Sequence, residues 1–182
     1  MMQNLVNEAV ARAQDALPAR LRGTLMLRAF GWLKVPMIAW VGPAVEELTA
    51  ERCVVCIPLK RRNKNHVGSM YLGTLSVGAD VAGGLLAMEL VRKQGGKVTP
   101  LFKAMQAEYL ARAEGDVLFT CEDGSKIALA VDRALETGAR QNIPVHVVAT
   151  VPKKLGDKPV ARFTLTLSIK RDGSKRNGEV AG

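Results

Sequence analysis

The chain has 182 residues, of which 48% are hydrophobic, 24% are charged and only 4% are aromatic. This composition fits one globular domain and excludes a disordered chain, a collagen-like repeat and two full-sized domains. The formal net charge of +9 lies in two segments, residues 60–64 and 151–182, and the rest of the chain is balanced. Without a general basic surface, we expect no nucleic-acid partner.

The N-terminal residues mix acids and amides into the first turns and lack the basic start and apolar run of a secretory signal. The longest weakly polar stretch, 77–91, is interrupted by two acids and is shorter than the roughly 18 apolar residues that span a bilayer. Three cysteines without scaffold spacing agree with a reducing compartment. We expect a cytoplasmic protein with free thiols and no membrane segment.

Residues 1–40 predict a helical extension packed on the core. Apolar residues recur every four positions over 4–17, and a second helical piece is expected over 19–30. Pro18 separates the two, and glycines and prolines within 31–43 predict short connectors. These helices would either cover a pocket of the following domain or extend its core.

Residues 41–171 predict an α+β domain. A long, mostly buried helix is expected at about 70–93, where small residues would let other elements pack closely. The tail at 172–182 is basic, and we expect it to be disordered. Strands are predicted at 52–59, 116–122, 142–151 and 160–170, and a second helix at 125–137.

Residues 98–113 give a conflicting signal. Leu101, Met105 and Tyr109 lie four positions apart, and good helix formers surround them. Local propensity alone therefore predicts a helix, although tertiary context often overrides propensity.

Cys53 and Cys56 have the spacing of a redox or zinc pair. In a strand, however, positions three apart face opposite sides of the sheet, so the two thiols cannot share a metal or form a bridge. His66 and His146 are the two histidines, and no acid lies at a spacing that would complete a metal site. We predict buried structural cysteines and no metal, with His146 at the edge of the core and His66 as a functional candidate in a polar loop.

Asp80 stands in the most apolar part of the chain, within the string VGADVAGGLL. Burial of a carboxylate is costly and raises its pKa, so this position needs a reason. An acid on the solvated face of a helix would be a structural explanation, but few polar residues accompany it within 71–88. We interpret Asp80 as a general base or nucleophile in a dry site, and Glu89, beside Arg92 and Lys93, as a solvated acid.

Residues 63–88 resemble the hotdog-fold thioesterase superfamily, which includes the phenylacetate-pathway type and 4-hydroxybenzoyl-CoA thioesterases. In those enzymes a His-Gly-Gly element opens the central helix, and an Asp or Glu follows nine residues after its His. The corresponding string here is Tyr-Leu-Gly at 71–73, and Asp80 lies nine residues after its tyrosine. An uncharacterised branch of thioesterase-like proteins has the similar pattern N-H-x-G-[ST]-M-[YF]-x-G, found here at 65–73.

The resemblance implies a hotdog fold over about 45–170, an antiparallel sheet wrapped around one long central helix, with 98–112 as a long third strand. It also implies a homodimer and leaves a dimer of dimers open. The chain departs from the family where Tyr71 and Leu72 replace the His-Gly pair, so that only the last glycine, Gly73, is retained.

The resemblance further implies hydrolysis of acyl thioesters of coenzyme A or acyl carrier protein, with the thioester as substrate and no cofactor. Backbone N–H groups near Gly73 would polarise the thioester carbonyl, and Asp80 would activate water or attack the carbonyl carbon directly. Because the two residues lie about 10 Å apart along one helix, a two-fold dimer that places Asp80 of one subunit near Gly73 of the other would form two composite sites.

Polar residues just before the helix are further candidates. Asn65 and His66 would orient the water or the thioester, although asparagines in loops also form turns for local reasons. The basic residues of the segment are placed to contact the phosphates of coenzyme A. The candidate substrate-binding residues are Asn63, Tyr71, Arg61, Arg62 and Lys64.

Two other interpretations stay open. One is a dehydratase or hydratase of acyl thioesters that uses His66 as the base together with Asp80. The other is a non-catalytic acyl-CoA-binding or regulatory protein that kept the fold and lost the chemistry. An acid retained within an apolar helix favours an enzyme.

Overall fold

The computed structural model describes residues 19–173, which begin with two helices. Helix α1 (Ala19–Leu33) confirms the predicted second helix, whereas the helix predicted over 4–17 lies outside the described residues. The following segment, which the sequence predicts as connectors, contains a short helix, α2 (Pro36–Val41). A proline occupies its first turn, where a missing N–H costs nothing, and Gly42 ends it with a φ of 69°.

Six strands form one sheet in which every neighbouring pair is antiparallel. They are β1 (Ala44–Leu48), β2 (Cys53–Ile57), β3 (Val98–Tyr109), β4 (Val117–Cys121), β5 (Gln141–Thr150) and β6 (Pro159–Arg171). Their order is β1-β2-β4-β5-β6-β3. The strands predicted from the sequence are confirmed. Strand β1 was not predicted. Its alternation is interrupted by two adjacent glutamates and by a register shift between Val45 and Glu47.

Helix α3 (Leu72–Lys93) packs against the sheet and confirms the predicted long helix. A Cβ atom added at Gly78 would lie 2.3 Å from the ring of Phe119, and one added at Gly83 would lie 3.2 Å from the ring of Phe102. Side chains at these glycines would push the helix off the strands. Helix α3 has the length and apolarity of a membrane span, but 72% of that stretch is buried inside the fold, as expected for a core helix.

Strand β3 is extended over its whole length despite its helical propensity. It pairs with β6 from Val98, opposite Arg171, to Tyr109, opposite Ala161. Long-range backbone pairing therefore overrides the local preference, and the strand implied by the family resemblance is confirmed. Strand β3 forms one edge of the sheet, and no strand of residues 19–173 pairs with its outer side.

Two further helices, α4 (Gly124–Thr137) and α5 (Pro152–Leu155), complete the domain. Helix α4 packs against α3 and β5, α1 packs on β1, and α2 contacts α3. The architecture is the expected α+β hotdog fold, an antiparallel sheet around a long central helix, with N-terminal helices added beside it.

Glu89 corrects an expectation from the sequence, because it is 3% exposed rather than solvated. Its carboxylate accepts hydrogen bonds from the guanidinium of Arg92, at 3.0 Å, and from that of Arg22 in α1, at 3.2 Å. Burial opposes ionisation of this group, but Arg92, Arg22 and Lys93 outweigh it and hold the pKa of Glu89 below its usual 4.5. The ion pair ties α1 to α3.

All three cysteines are free, as the sequence predicts. Cys53 and Cys121 are buried and lie opposite each other on neighbouring strands, whereas Cys56 is only half-buried. Burial raises the pKa of the Cys53 thiol to about 12 and the pKa values of Cys56 and Cys121 to about 11. All three therefore stay protonated and unreactive at neutral pH.

His146 lies exposed on β5, and its ring contacts an acid at the start of α4. Its Nδ1 lies 2.8 Å from Asp123 Oδ2, and its backbone N–H donates to the same oxygen at 2.7 Å. Lys126 donates to the other carboxylate oxygen. Burial opposes ionisation of Asp123, but Lys126 and His146 outweigh it and lower its pKa. This cluster fixes α4 to β5, in agreement with a structural role for His146.

Candidate active site

Asp80 lies in the third turn of α3, where its side chain is half-buried. Its carboxyl group lines a cavity of about 470 Å³ whose other walls are mostly apolar. Burial is the only resolved cause of a shift in its pKa, which is raised above the usual 3.8. No charged or hydrogen-bonding group within residues 19–173 compensates this cost. Asp80 is thus an acid of increased basicity in the lining of a cavity, which suits it to accept a proton.

The start of α3 offers backbone donors. No side chain caps the helix at Tyr71, and the first helical hydrogen bond runs from the N–H of Leu75 to the carbonyl of Tyr71. The N–H groups of Leu72 and Gly73 therefore have no partner inside the helix, and the helix dipole adds partial positive charge there. This is the arrangement that stabilises an oxyanion.

Gly73 sits directly against the ring of the residue at the helix start. A Cβ atom added at Gly73 would lie 2.7 Å from Cε1 of Tyr71, so a side chain there would displace the exposed tyrosine ring. The absence of a side chain at Gly73 lets the Tyr71 ring lie against the first turn of α3. Tyr71, predicted as a substrate-binding residue, therefore lies beside the backbone donors.

The loop before α3 is closed by Asn65. Its Oδ1 accepts hydrogen bonds from the N–H groups of Val67 and Ser69, and its Nδ2 donates to Ser69 Oγ at 2.9 Å. Gly68, with a φ of 82°, completes the turn, and His66 is exposed near its tip. These bonds favour the turn-forming interpretation of Asn65 over direct contact with substrate, because both polar ends of its amide are already used.

Asn63 corrects a prediction. It is fully buried, and its Nδ2 donates to the carbonyls of Val41, at 3.0 Å, and Pro58, at 2.8 Å. Its backbone carbonyl accepts a hydrogen bond from the N–H of Tyr71. Asn63 has no exposed atom with which to contact substrate, and it instead joins α2, β2 and the start of α3. These contacts indicate that the Asn63 side chain has a structural role.

The basic residues Arg61, Arg62 and Lys64 are all exposed and form or follow a single 3-10 turn at Arg61–Asn63. A Cβ atom added at Gly42 would lie 2.5 Å from Nη2 of Arg62, so this guanidinium lies against the end of α2. The other two cations extend from the same short segment that leads to the loop.

The predicted residues thus form two groups. The loop, its basic residues and Gly73 gather at the start of α3, whereas Asp80 lies seven residues further, about 10 Å along the helix axis. One thioester carbonyl cannot contact both positions in a single subunit. The sequence left open whether the N-terminal helices cover a pocket or extend the core. Phe30 of α1 and Ile38 of α2 line the cavity beside Asp80, so these helices contribute to its wall.

Comparisons with known proteins agree with this architecture. The family model described as Domain of unknown function (DUF4442) matches residues 23–169. A search of curated protein sequences finds no match.

Several solved structures of thioesterases share the fold. A Pseudomonas aeruginosa protein described as "Probable Thioesterase" is 23% identical, with a TM-score of 0.67 and coverage of 85% of this chain and 97% of that chain. A Haemophilus influenzae thioesterase is 12% identical, with a TM-score of 0.57 and coverage of 78% and 87%. A thioesterase variant from Staphylococcus aureus is 15% identical, with a TM-score of 0.55 and coverage of 74% and 98%. At these identities the likeness establishes a common fold.

Proposed function

Because this chain belongs to the DUF4442 family and has the hotdog fold of solved thioesterases, we propose that it hydrolyses acyl thioesters, with Asp80 as the catalytic residue. The observation that carries the proposal is the position of Asp80. It lies on the central helix in the wall of a largely apolar cavity, its pKa is raised by burial, and no charged group of residues 19–173 pairs with it. An acid in this environment is suited to proton transfer or nucleophilic attack.

In the general-base route, Asp80 accepts a proton from water as the hydroxide adds to the thioester carbonyl carbon. The N–H groups at the start of a central helix stabilise the oxyanion that forms. Collapse of the intermediate breaks the C–S bond, and the leaving thiolate takes the proton from Asp80, so that the products are a carboxylic acid and a free thiol and Asp80 is again a carboxylate. In the nucleophilic route, the Asp80 carboxylate adds first, the thiolate leaves, and water then hydrolyses the mixed anhydride.

We place the reaction between two copies of the chain. Strand β3 is a long edge strand with exposed apolar side chains at Leu101, Met105 and Tyr109, and such an edge pairs readily with another strand. An antiparallel pairing of β3 with its copy would set the two α3 helices antiparallel across a two-fold axis. Asp80 would then lie near Gly73 of the partner subunit, which removes the 10 Å separation within one chain.

A complementation experiment tests the shared sites. Asp80→Asn removes the base, and Gly73→Val blocks the helix start, so each homodimer should be inactive. After the two variants exchange subunits, half of the dimers are mixed, and each mixed dimer has one site with both native residues. The mixture should therefore regain about a quarter of the native activity. If both residues act within one subunit, the mixture stays inactive.

Arg61, Arg62 and Lys64 are proposed to bind the phosphates of coenzyme A. Their exposure and their position beside the loop support this role, and each contact is expected to contribute modestly, because exposed charges are screened. Replacing all three by Gln should raise the KM for acyl-CoA but not for the corresponding S-acyl-N-acetylcysteamine, which lacks phosphates. An equal rise for both substrates would argue against phosphate binding.

The principal experiment measures thiol release from acyl-CoAs with short, medium, long and aromatic acyl groups. The native protein should cleave at least one class, and Asp80→Asn should lose turnover while remaining folded. Asp157→Asn, which makes the same change at an exposed acid outside the site, should remain active. Hydrolysis that survives in Asp80→Asn, or binding of acyl-CoA without cleavage by the native protein, would overturn the proposed mechanism.

A further inference from the structure

We propose that the cavity between the N-terminal helices and α3 binds the acyl chain, and that its dimensions select unbranched aliphatic chains of medium length. This inference rests on the proposed thioesterase function and names its substrate class. The cavity volume of about 470 Å³ is within the range of small-molecule sites. Its walls come from α1, α2, α3 and the start of β3, so the N-terminal extension is part of the site.

The chemistry of the walls favours a hydrocarbon. Of the described residues that line the cavity, Asp80 and Lys34 are the only ionisable ones, and Lys34 is exposed. The remainder is dominated by aliphatic, methionine and phenylalanine side chains, among them Leu27, Phe30 and Leu85. A hydroxylated aromatic acyl group would bury its hydroxyl against these walls without a partner, which is unfavourable. A plain alkyl chain carries no such cost.

The length of the cavity along α3 sets the chain length. Asp80, Gly84 and Met88 all line it, and residues four apart lie on the same face of a helix. From Asp80, at the reacting end, to Met88 the helix rises about 12 Å. An extended chain advances about 1.2 Å per bond, since an extended residue with three backbone bonds spans about 3.6 Å. The cavity therefore accommodates about ten carbon atoms beyond the carbonyl group.

Gly84 determines whether the middle of this path is open. A Cβ atom added there would meet only Cε2 of Phe102, at an ordinary distance of 3.6 Å, so larger side chains would extend into the cavity without striking the backbone. Met88 lines the cavity eight residues beyond Asp80 and is 39% exposed, so it can be shortened at little cost to the core. A larger side chain at Gly84 should therefore shorten the cavity, and a smaller one at Met88 should lengthen it.

The test is the profile of kcat/KM over saturated acyl-CoAs from four to sixteen carbons. For the native protein, kcat/KM should rise about fourfold per added methylene up to roughly ten carbons and then level off or fall. Gly84→Leu should move the optimum to shorter chains, Gly84→Ala should move it less, and Met88→Ala should move it to longer chains. Glu136→Leu, on the exposed side of α4, should keep the native profile.

The outcomes separate this inference from the proposed function. Asp80-dependent hydrolysis with a flat profile, or with a preference for aromatic acyl groups, overturns the inference and leaves the thioesterase intact. A profile that changes with protein concentration assigns the cavity to a second copy of the chain and also overturns it. If no thioester is cleaved, the proposed function fails. Equilibrium binding of the same acyl-CoAs then decides the inference, since affinity must increase with chain length and Gly84→Leu must weaken binding of the longer chains.

Discussion

Asp80 and Glu89 lie nine residues apart on the same helix, yet their surroundings give them opposite properties. Glu89 is almost fully buried but has a lowered pKa, because Arg92, Arg22 and Lys93 surround its carboxylate. Asp80 is less buried but has a raised pKa, because burial is uncompensated there. The comparison shows that the charged partner, more than the depth of burial, decides whether the pKa of an acid is lowered or raised.

The largest expected effect is on turnover. Asp80→Asn should lower kcat by about 10²- to 10⁴-fold, the usual contribution of a general base, whereas Glu89→Gln should leave kcat within about twofold of native. Steady-state hydrolysis of the best acyl-CoA substrate measures both values. Comparable losses in the two variants would remove the distinction between the two acids.

The second effect concerns the proposed dimer, in which Asp80 would act together with a partner subunit. Met105→Lys adds a charge to the exposed edge strand β3 and should dissociate the dimer, with kcat falling in proportion to the fraction of monomer. Sedimentation velocity and hydrolysis should be measured on the same samples. Leu129→Lys, at a comparably exposed apolar position on α4, is the matched control and should change neither quantity. Full activity in a monomeric Met105→Lys variant would place the complete site in one chain.

The third effect is on stability. Here substitution of Glu89 should have the larger effect, whereas substitution of Asp80 should have the larger effect on turnover. Glu89→Gln should lower the free energy of unfolding by about 1–3 kcal/mol, since it removes the charge from a buried carboxylate that accepts hydrogen bonds from Arg22 and Arg92. Asp80→Asn should leave stability at neutral pH unchanged or increased, because it removes an unpaired charge from a partly buried site. Urea denaturation at pH 7 gives both values. A larger loss for Asp80→Asn would indicate that Asp80 has a structural role.

The smallest effect is the pH dependence of stability, measured as the unfolding free energy of each variant relative to the native protein. The folded protein holds Asp80 above its usual pKa of 3.8, so this group reduces stability as pH rises from 3.8 through the raised pKa. The folded pKa of Glu89 lies below 4.5, so its contribution is present above pH 4.5 and is lost as pH falls through the folded pKa.

Relative to native, Asp80→Asn should therefore gain stability as pH rises, and Glu89→Gln should lose it. Each slope is limited to about 1.4 kcal/mol per pH unit. Unfolding free energies from pH 3 to pH 7 measure the two trends. Parallel curves for the two variants would contradict the pKa directions.

Much of the core could be predicted from the sequence. The long helix, the helix before β5, and strands β2, β4, β5 and β6 follow from hydrophobic periodicity and from the glycines and prolines between them. Strand β1 was missed because adjacent glutamates and a register shift hide its alternation. Strand β3 was assigned through the family resemblance, since its local residues favour a helix.

The candidate site likewise contains residues that the local sequence singles out and residues whose contacts it does not predict. Asp80 was selected as a candidate because a single acid in an apolar run is costly to bury. Asn63 and Glu89 were misinterpreted, since their roles depend on the Val41 carbonyl and on Arg22, which are 22 and 67 residues away in the chain. A local sequence pattern cannot predict contacts between residues so far apart in the chain.

The sequence by itself determined where the chain is apolar, where it turns and which acid stands without polar neighbours, because these properties reside in a few adjacent residues. Only the tertiary structure decided that α1 and α2 enclose a cavity beside Asp80, that Glu89 is neutralised by a cation from another helix, and that 98–109 is extended. These outcomes depend on which distant surfaces meet, and their free energy comes from burial and pairing between segments rather than from local preference.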